Sequence, residues 1–334
     1  MIRFAMTSKG ALYDGTLQFL EACGLKVSRP NPRQYTAHIR ALPEAEVFLH
    51  PAADIVRKVA NGDVDFGITG LDLVRELAAD EPNVIVADPN LDFGRSDLVM
   101  AVPEAWVDVQ SWEDVADLAA EFASSGRQLR IATKYPTLVR AFCYNGGVNV
   151  FTLIDSQGAT EAAPSLGYAD LIADITTTGT TLRENRLKIV AGSTILRSQA
   201  CLIAGRQALQ EDPAKLEAVR MVLELIEARR RGRGFAQVIA NVPGASAAAV
   251  AERVTESPDL GGLHGPTIAP VYGRGGDAAP DWFAVSLVVA AGRILPAVAH
   301  LRSLGSTGIV VVPLQYAFTD RSETYQRLLE ALKA

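Results

Sequence analysis

Apolar residues along the chain fall into short continuous runs separated by stretches of helical period. Ile2 to Met6 forms the first run, followed by apolar positions at helical spacing from Ala11 to Cys23, with Gly24 placed to stop the helix. A helical stretch from Ala53 to Ala60 ends at Asn61-Gly62, and a second apolar run follows from Val64 to Ile68. A further block opens near Asp97 to Pro103, passes through a helix at Ser111 to Ala123, and repeats strand, helix and strand over Leu129 to Ala132, Thr137 to Cys143 and Val148 to Ile154. This alternation predicts two α/β domains.

Another buried apolar run covers Thr194 to Ala204, and Asp212-Pro213 then forms an N-cap and first-turn pair opening a connector helix to about Arg231. Arg229, Arg230 and Arg231 read as a basic last turn that complements the helix dipole, and Gly232 and Gly234 break the helix. A third unit follows: a strand at Phe235 to Val242, a helix near Ala247 to Val254, a turn-rich stretch from Gly261 to Gly276, a strand at Trp282 to Ala290, a helix at Ile294 to Leu304 and a strand at Gly308 to Pro313. The order β-α-β-β-α-β is the ferredoxin-like plan. Small domains of that plan often bind regulators, although fold alone does not establish a function.

Composition narrows the classes. With 334 residues, 49% hydrophobic and 21% charged, the chain can fill two or three domains. A net charge of -6 gives no support to nucleic acid or an anionic membrane as main partner. The three cysteines, Cys23, Cys143 and Cys201, stand far apart in apolar surroundings and read as reduced core thiols. None of His38, His50, His264 and His300 has the spacing of a metal site. Met1 to Thr7 lacks the pattern of a signal peptide, and no stretch stays apolar for about 18 residues, so a cytoplasmic location is expected.

The sharpest chemical signal is Asp170 to Leu182, a hydrophobic strand carrying Asp170 and Asp174 that enters the loop Thr176-Thr177-Thr178-Gly179-Thr180-Thr181 and then a helix start. Hydroxyls and backbone N–H groups at a helix N-terminus suit a phosphate monoester. A carboxylate just before the loop can reach the hydroxyls of a ribose whose 5-phosphate sits in it, and the two features together describe a ribose 5-phosphate cradle. The plainer reading is a threonine-rich turn that caps a helix; the paired acids favour the cradle. No GxxxxGK[ST] occurs and no GxGxxG follows a strand, so kinase and dinucleotide readings lose their usual support.

The run Leu129-Arg130-Ile131-Ala132-Thr133-Lys134-Tyr135-Pro136, then Glu161-Ala162-Ala163-Pro164 with Gly167-Tyr168-Ala169-Asp170, then the loop and Leu182-Arg183-Glu184-Asn185, resembles the ATP phosphoribosyltransferase family in order and spacing. Ser8-Lys9-Gly10 and Asp65-Phe66-Gly67-Ile68-Thr69-Gly70-Leu71-Asp72 resemble first-domain motifs of that family, and Ala240-Asn241-Val242-Pro243 with Gly265-Pro266-Thr267 resembles the regulatory domain of its long form. Almost the whole chain is covered.

The resemblance implies that adenine N1 of ATP attacks C1 of phosphoribosyl pyrophosphate and releases pyrophosphate, with Mg2+ as counter-ion, at the first step of histidine biosynthesis. It implies that Thr177, Thr178, Gly179, Thr180, Thr181 and Leu182 hold the 5-phosphate, and that Asp174 and Glu161, with Asp170 nearby, face the ribose. Lys9 and Lys134 would meet phosphate oxygens, and Gly10, Thr69, Gly70 and Asp72 would line the ATP side, where small residues permit close approach of backbone to ligand. Lys9, Glu161 and Asp174 are the expected catalytic residues. It further implies inhibition by histidine, with Asn241, Thr267, Ser306 and Thr307 as candidate effector contacts, and a hexamer with a possible dimeric state of lower activity. One departure stands out: family members usually carry an arginine shortly before the Asp-Ile of the next helix, but here the segment reads His50-Pro51-Ala52-Ala53-Asp54-Ile55, leaving Arg57 or His50 as substitutes. Thr7 also replaces a proline common before Ser-Lys-Gly.

The expected architecture is α/β: a two-lobed core like the type II periplasmic binding proteins plus a C-terminal ferredoxin-like regulatory domain. Residues 1–103 and 198–228 would form the first catalytic domain, 104–197 the second, and 232–334 the regulatory one. Three other readings stay open: a two-lobed solute-binding protein, a catalytically weak relative kept as a regulatory or binding subunit, and a phosphoribosyltransferase for another base.

Overall fold

The computed structural model describes residues 1–31, 33–156, 158–256, 265–272 and 278–333. Two compact units divide the chain, Met1–Arg220 with Arg327–Ala334, and Met221–Gln326.

The first unit holds two sheets. Seven strands form the first, in the order Val27–Ser28, Thr36–Ile39, Leu42–His50, Ile2–Thr7, Phe66–Gly70, Ala200–Gly205 and Val84–Asp88. Ile2–Thr7 runs parallel to both neighbours, whereas Ala200–Gly205 is antiparallel to both of its own. The central strands are unbroken apolar runs because both faces are covered: every residue of Phe66–Gly70 and Ala200–Gly205 is buried. Helix Ala52–Ala60 turns Ile55, Val56 and Val59 onto this sheet. It packs so closely at Gly67 that a Cβ there would stand 2.8 Å from Ile55 Cγ2 and 2.9 Å from the Ala5 carbonyl oxygen. The sequence reading passed over the first two strands of the sheet, because two and four residues are too few to show a period.

Near the start of Ile2–Thr7, fully buried Asp65 ties three segments together. Its carboxylate accepts from the Arg3 backbone N–H at 2.7 Å and from the Arg3 guanidinium at 2.8 Å, and lies 3.1 Å from Lys215 Nζ. Burial alone would raise the pKa of this acid, but its bonds from Arg3 and Lys215 hold it below the usual carboxylate value.

Five strands form the second sheet, in the order Leu187–Ser198, Ser96–Pro103, Leu171–Thr176, Leu129–Thr133 and Phe151–Asp155. Leu129–Thr133 is parallel to both neighbours, and Ser96–Pro103 is antiparallel to both of its own. Leu98, Met100 and Val102 pack with Leu129 and Ile131 against Trp112, Val115, Val139 and Cys143 from the covering helices. Helix Trp112–Ser124 starts at a capping box in which the Ser111 hydroxyl accepts from Asp114 N–H and the Asp114 carboxylate accepts from Ser111 N–H. Burial pushes the Cys143 thiol up to about 12, in keeping with an unreactive core residue.

Both sheets follow one rule. In each sheet three parallel strands lie side by side, Leu42–His50, Ile2–Thr7 and Phe66–Gly70 in the first and Phe151–Asp155, Leu129–Thr133 and Leu171–Thr176 in the second, and the next position is filled by an antiparallel strand arriving from the other lobe, Ala200–Gly205 or Ser96–Pro103. This exchange is the topology of the type II two-lobed binding proteins. The chain crosses between lobes twice, through residues 89–95 and at Gln199, so the apolar run Thr194 to Ala204 is in fact shared between two sheets.

The second unit carries a four-stranded antiparallel sheet ordered Thr267–Tyr272, Ala278–Ala290, Phe235–Pro243 and Thr307–Pro313, with helices Ala247–Thr255 and Ile294–Ser303. This is the ferredoxin-like plan. Phe235–Pro243 alternates strictly, placing Val238, Ala240 and Val242 in a core with Val250, Val254, Leu287 and Leu301. The turn-rich stretch from Gly261 to Gly276 contains one of the strands, Thr267–Tyr272; its positions 261–264 and 273–276 lie outside the described residues.

Candidate active site

Leu171–Thr176 leaves the second sheet, and the chain turns through Thr177, Thr178 and Gly179 into the five-residue helix Thr180–Glu184. Gly179 has φ +72°, a left-handed conformation that a side chain would strain. Its N–H donates to Thr176 Oγ1 at 2.9 Å, and the Thr178 and Thr180 hydroxyls are 2.9 Å apart. Arg183 reaches back to donate to the Thr178 carbonyl and to Thr180 Oγ1, each at 3.2 Å. A helix this short contributes little macrodipole, so the capacity to hold an anion rests on the hydroxyls, the loop N–H groups and Arg183. Ser96, Glu161, Asp174, Thr176 to Thr178, Thr180, Thr181 and Leu182 enclose a cavity of about 250 Å³.

Asp174 is half-buried in the wall of this cavity and accepts from Ile175 N–H at 2.8 Å. Burial raises its pKa above the usual carboxylate value and the nearby Glu161 adds to this, against the opposing effects of Ile175 N–H, Lys134 and the Thr160 hydroxyl. Ala173 pairs with Thr133 in a parallel register, so Lys134, the first residue past its strand, lies level with Asp174 on the adjacent one.

The matching strand ends of the first lobe carry Ser8, Lys9, Gly10, His50, Thr69 and Gly70. Lys9 is exposed, and Ser8 N–H donates to the His50 carbonyl at 2.9 Å. Arg57 pairs with Asp54 on the surface at 3.3 Å, whereas half-buried His50 stands beside Thr7 in the sheet, with its pKa lowered by burial and by Lys58. The two lobes face each other at these ends, since the Tyr135 hydroxyl of the second donates to Asp72 of the first at 2.7 Å. Ligands of open parallel sheets bind at such strand ends.

Residues 51–228 match the family model described as ATP phosphoribosyltransferase, and residues 233–316 match the model described as HisG, C-terminal domain. The chain belongs to the ATP phosphoribosyltransferase family. Relatives of that name include the chloroplastic ATP phosphoribosyltransferase 2 of Arabidopsis thaliana, 39% identical over 99% of this chain and 80% of the relative. The enzyme of Nitrobacter winogradskyi is 34% identical over 97% of this chain and 96% of its own length. Among solved structures, the ATP phosphoribosyl transferase (HisG:HisZ) complex from Thermotoga maritima superposes with a TM-score of 0.50 at 25% identity, over 68% of this chain and 99% of that chain. This ATP phosphoribosyltransferase is therefore a pentosyltransferase that joins ATP to phosphoribosyl pyrophosphate, and its reaction opens histidine biosynthesis.

Three expected contacts need correction in this phosphoribosyltransferase. Asp170 lies at the opposite end of its strand from the loop, buried, with Arg127 and Arg130 on its carboxylate and Arg130 N–H at 2.8 Å; a ribose in the cavity cannot reach it. Asp170→Asn is expected to lower stability by about 1–2 kcal/mol, a figure kept small because both guanidinium groups are well exposed, while KM for phosphoribosyl pyrophosphate stays within about twofold. Thermal unfolding together with steady-state kinetics checks this; a tenfold rise in KM would restore Asp170 to the site. Asp72 and Thr69 are buried with their polar atoms engaged, Asp72 by Tyr135 and Ser198 and Thr69 by the Ala52 carbonyl, so neither side chain is open to ATP.

In the C-terminal unit, Asn241 pairs with Thr307 in register, and the neighbouring Ser306 hydroxyl is buried without a partner among the described residues. Thr267 sits on the edge strand, separated from Asn241 by the whole Ala278–Ala290 strand and offset by two residues along it, and is therefore about 12 Å away. The sequence reading missed Arg183, whose signal was its place one turn after Thr180, and missed Tyr135 and Glu76, which no local pattern marks.

Proposed function

We propose that phosphoribosyl pyrophosphate binds with its 5-phosphate on Thr177, Thr178, Gly179, Thr180, Thr181 and Leu182 and its ribose hydroxyls on Asp174 and Glu161. The supporting observation is that one cavity of about 250 Å³ joins a hydroxyl loop to two carboxylates, matching the two ends of a single ribose phosphate. ATP then approaches from the first lobe, where Lys9 and Gly10 stand at a strand end, and Lys134 meets phosphate oxygens from the second. Adenine N1 carries a free lone pair, so no strong base is needed. The N1–C1 bond forms as the C1–O bond to pyrophosphate breaks, and the electron pair leaves with pyrophosphate. Asp174 and Glu161 stabilise the positive charge that develops on the ribose, and Lys9 and Lys134 stabilise the departing anion.

Mg2+ is the counter-ion assigned to this reaction. Among the described residues no three of His, Cys, Asp and Glu cluster as a metal site, leaving Glu161 and Asp174 as the oxygen donors on offer. That fits a cation that arrives on the diphosphate and keeps most of its water. When bound, it neutralises charge on the leaving pyrophosphate.

The C-terminal unit is assigned a histidine-binding role centred on Asn241, Ser306 and Thr307, which couples to the catalytic lobes by favouring one of two states. A hexamer is the assigned assembly. Three buried cysteines that form no disulfide suit a reducing compartment such as the cytoplasm, and among the described residues no helix is long and apolar enough to cross a membrane.

With ATP, phosphoribosyl pyrophosphate and Mg2+, the purified chain is expected to release pyrophosphate and form an N1 adduct visible in the adenine absorbance, and histidine is expected to suppress the rate. Turnover indifferent to histidine would remove the regulatory assignment. Binding of phosphoribosyl pyrophosphate without turnover would favour the weak-subunit reading, which the absence of arginine near Pro51 supports.

A further inference from the structure

Helix Leu71–Leu77 of the first lobe carries Asp72 and Glu76, both buried, and residues four apart share one helix face. Two carboxylates buried on a helix face require partners, and the second lobe supplies most of them. Asp72 accepts from the Tyr135 hydroxyl at 2.7 Å and from the Ser198 hydroxyl at 2.8 Å. Glu76 accepts from Thr137 N–H at 2.9 Å with one oxygen and from Leu138 N–H at 3.0 Å with the other. Helix Pro136–Asn145 has no side-chain cap of its own, so Glu76 gives its first turn, from a different lobe, the acceptor that a local Ser or Asp would otherwise provide. Leu73, between the two acids, packs against the cores of both lobes. Gly70 leaves room for the Asp72 carboxylate, which a Cβ at that position would strike.

Segment 135–138 is thus held at its phenol and at two consecutive backbone amides. Lys134 immediately precedes it and leaves its strand beside Asp174. We infer that Asp72 and Glu76 are positioning residues for phosphoribosyl transfer, acting through segment 135–138 to hold Lys134 against the cavity that Asp174 and the threonine loop enclose. The inference rests on the reading of Lys134 as a phosphate-binding residue. It gives helix Leu71–Leu77 a role separate from contact with ATP: the first lobe sets the geometry of a cation belonging to the second.

A double-mutant cycle on the full chain tests it, with kcat and KM for phosphoribosyl pyrophosphate measured for Lys134→Ala, Glu76→Ala and the pair, alongside melting temperatures. Each single change is expected to raise KM about ten- to a hundredfold, and the pair is expected to be no worse than Lys134→Ala alone. Glu76→Gln, whose one carbonyl oxygen can still accept one of the two amides, is expected to fall between wild type and Glu76→Ala, and serves in its place should the alanine variant fail to fold. Effects that multiply in the pair, or a Glu76 variant with wild-type KM, overturn the inference while leaving Lys134 in the site. A silent Lys134→Ala removes the reading of Lys134 and this inference with it.

Discussion

Asp174→Ala is expected to lower kcat/KM for phosphoribosyl pyrophosphate by about 10²- to 10³-fold, or ~3–4 kcal/mol of transition-state stabilisation. The side chain stands in the cavity wall at the entrance to the threonine loop, where a ribose with its 5-phosphate in the loop presents its hydroxyls and its developing positive charge. The acid must be ionised for both tasks, and burial disfavours the ionised form. The sign follows. With its pKa raised in the folded enzyme, Asp174 starts to protonate at higher pH than an ordinary carboxylate, so the acid limb of log(kcat/KM) is expected above the usual aspartate range. Because that raised value favours the protonated native state, the contribution of Asp174 to stability is greatest below the unfolded pKa and is lost as pH rises through the folded one. Asp174→Asn is therefore expected to melt at or above the wild-type temperature at neutral pH while losing activity. A variant that loses both would make Asp174 a structural residue, and a pH profile unchanged by the substitution would assign the limb to another group.

The largest loss of stability is expected from Asp65→Ala, about 3 kcal/mol or more. Asp65 is fully buried and joins the first strand, the turn before Phe66–Gly70 and Lys215; removing it leaves the Lys215 ammonium and the Arg3 backbone N–H without their acceptor and the mostly buried Arg3 guanidinium with only the Gly62 carbonyl. The pKa of Asp65 is lowered in the folded state, so its contribution is present above the unfolded carboxylate pKa and fades as pH falls through the folded one. Denaturant titrations at neutral and acidic pH check both statements: the gap between wild type and variant should narrow in acid. A gap of under 1 kcal/mol at neutral pH would show that the strands hold without this junction.

The threonine loop and the place of Asp174 at its entrance were legible in the sequence because their pattern is local. Threonines, a glycine and a preceding acid within a dozen positions fix a turn and its chemistry together. Asp170 and Asp174 looked equivalent for the same reason: both precede the loop, and nothing within a few residues shows that Arg127 and Arg130 claim one of them. Asp72 was misplaced on similar grounds, since its partners lie 63 and 126 positions away. Glu76 could not be found at all, because the helix it caps begins 60 positions later in another lobe and its own surroundings read as an ordinary amphipathic helix. In the C-terminal unit the alternation of Phe235–Pro243 announced a strand, but Thr267–Tyr272 was hidden among glycines and prolines, where turn chemistry outweighs a six-residue run.

The single residue Gln199, which parts Leu187–Ser198 of the second sheet from Ala200–Gly205 of the first, also orders events during synthesis. All five strands of the second sheet lie between Ser96 and Ser198, so that lobe has its full set as soon as Ser198 has left the ribosome. The first sheet begins earlier but waits longer, because Ala200–Gly205 fits between Phe66–Gly70 and Val84–Asp88 and is made last. Until then the edges of both strands are unpaired, in a chain still growing at tens of residues per second or fewer. The nascent first lobe is accordingly the segment that chaperones would need to shield, and the later-made second lobe is the one that finishes first.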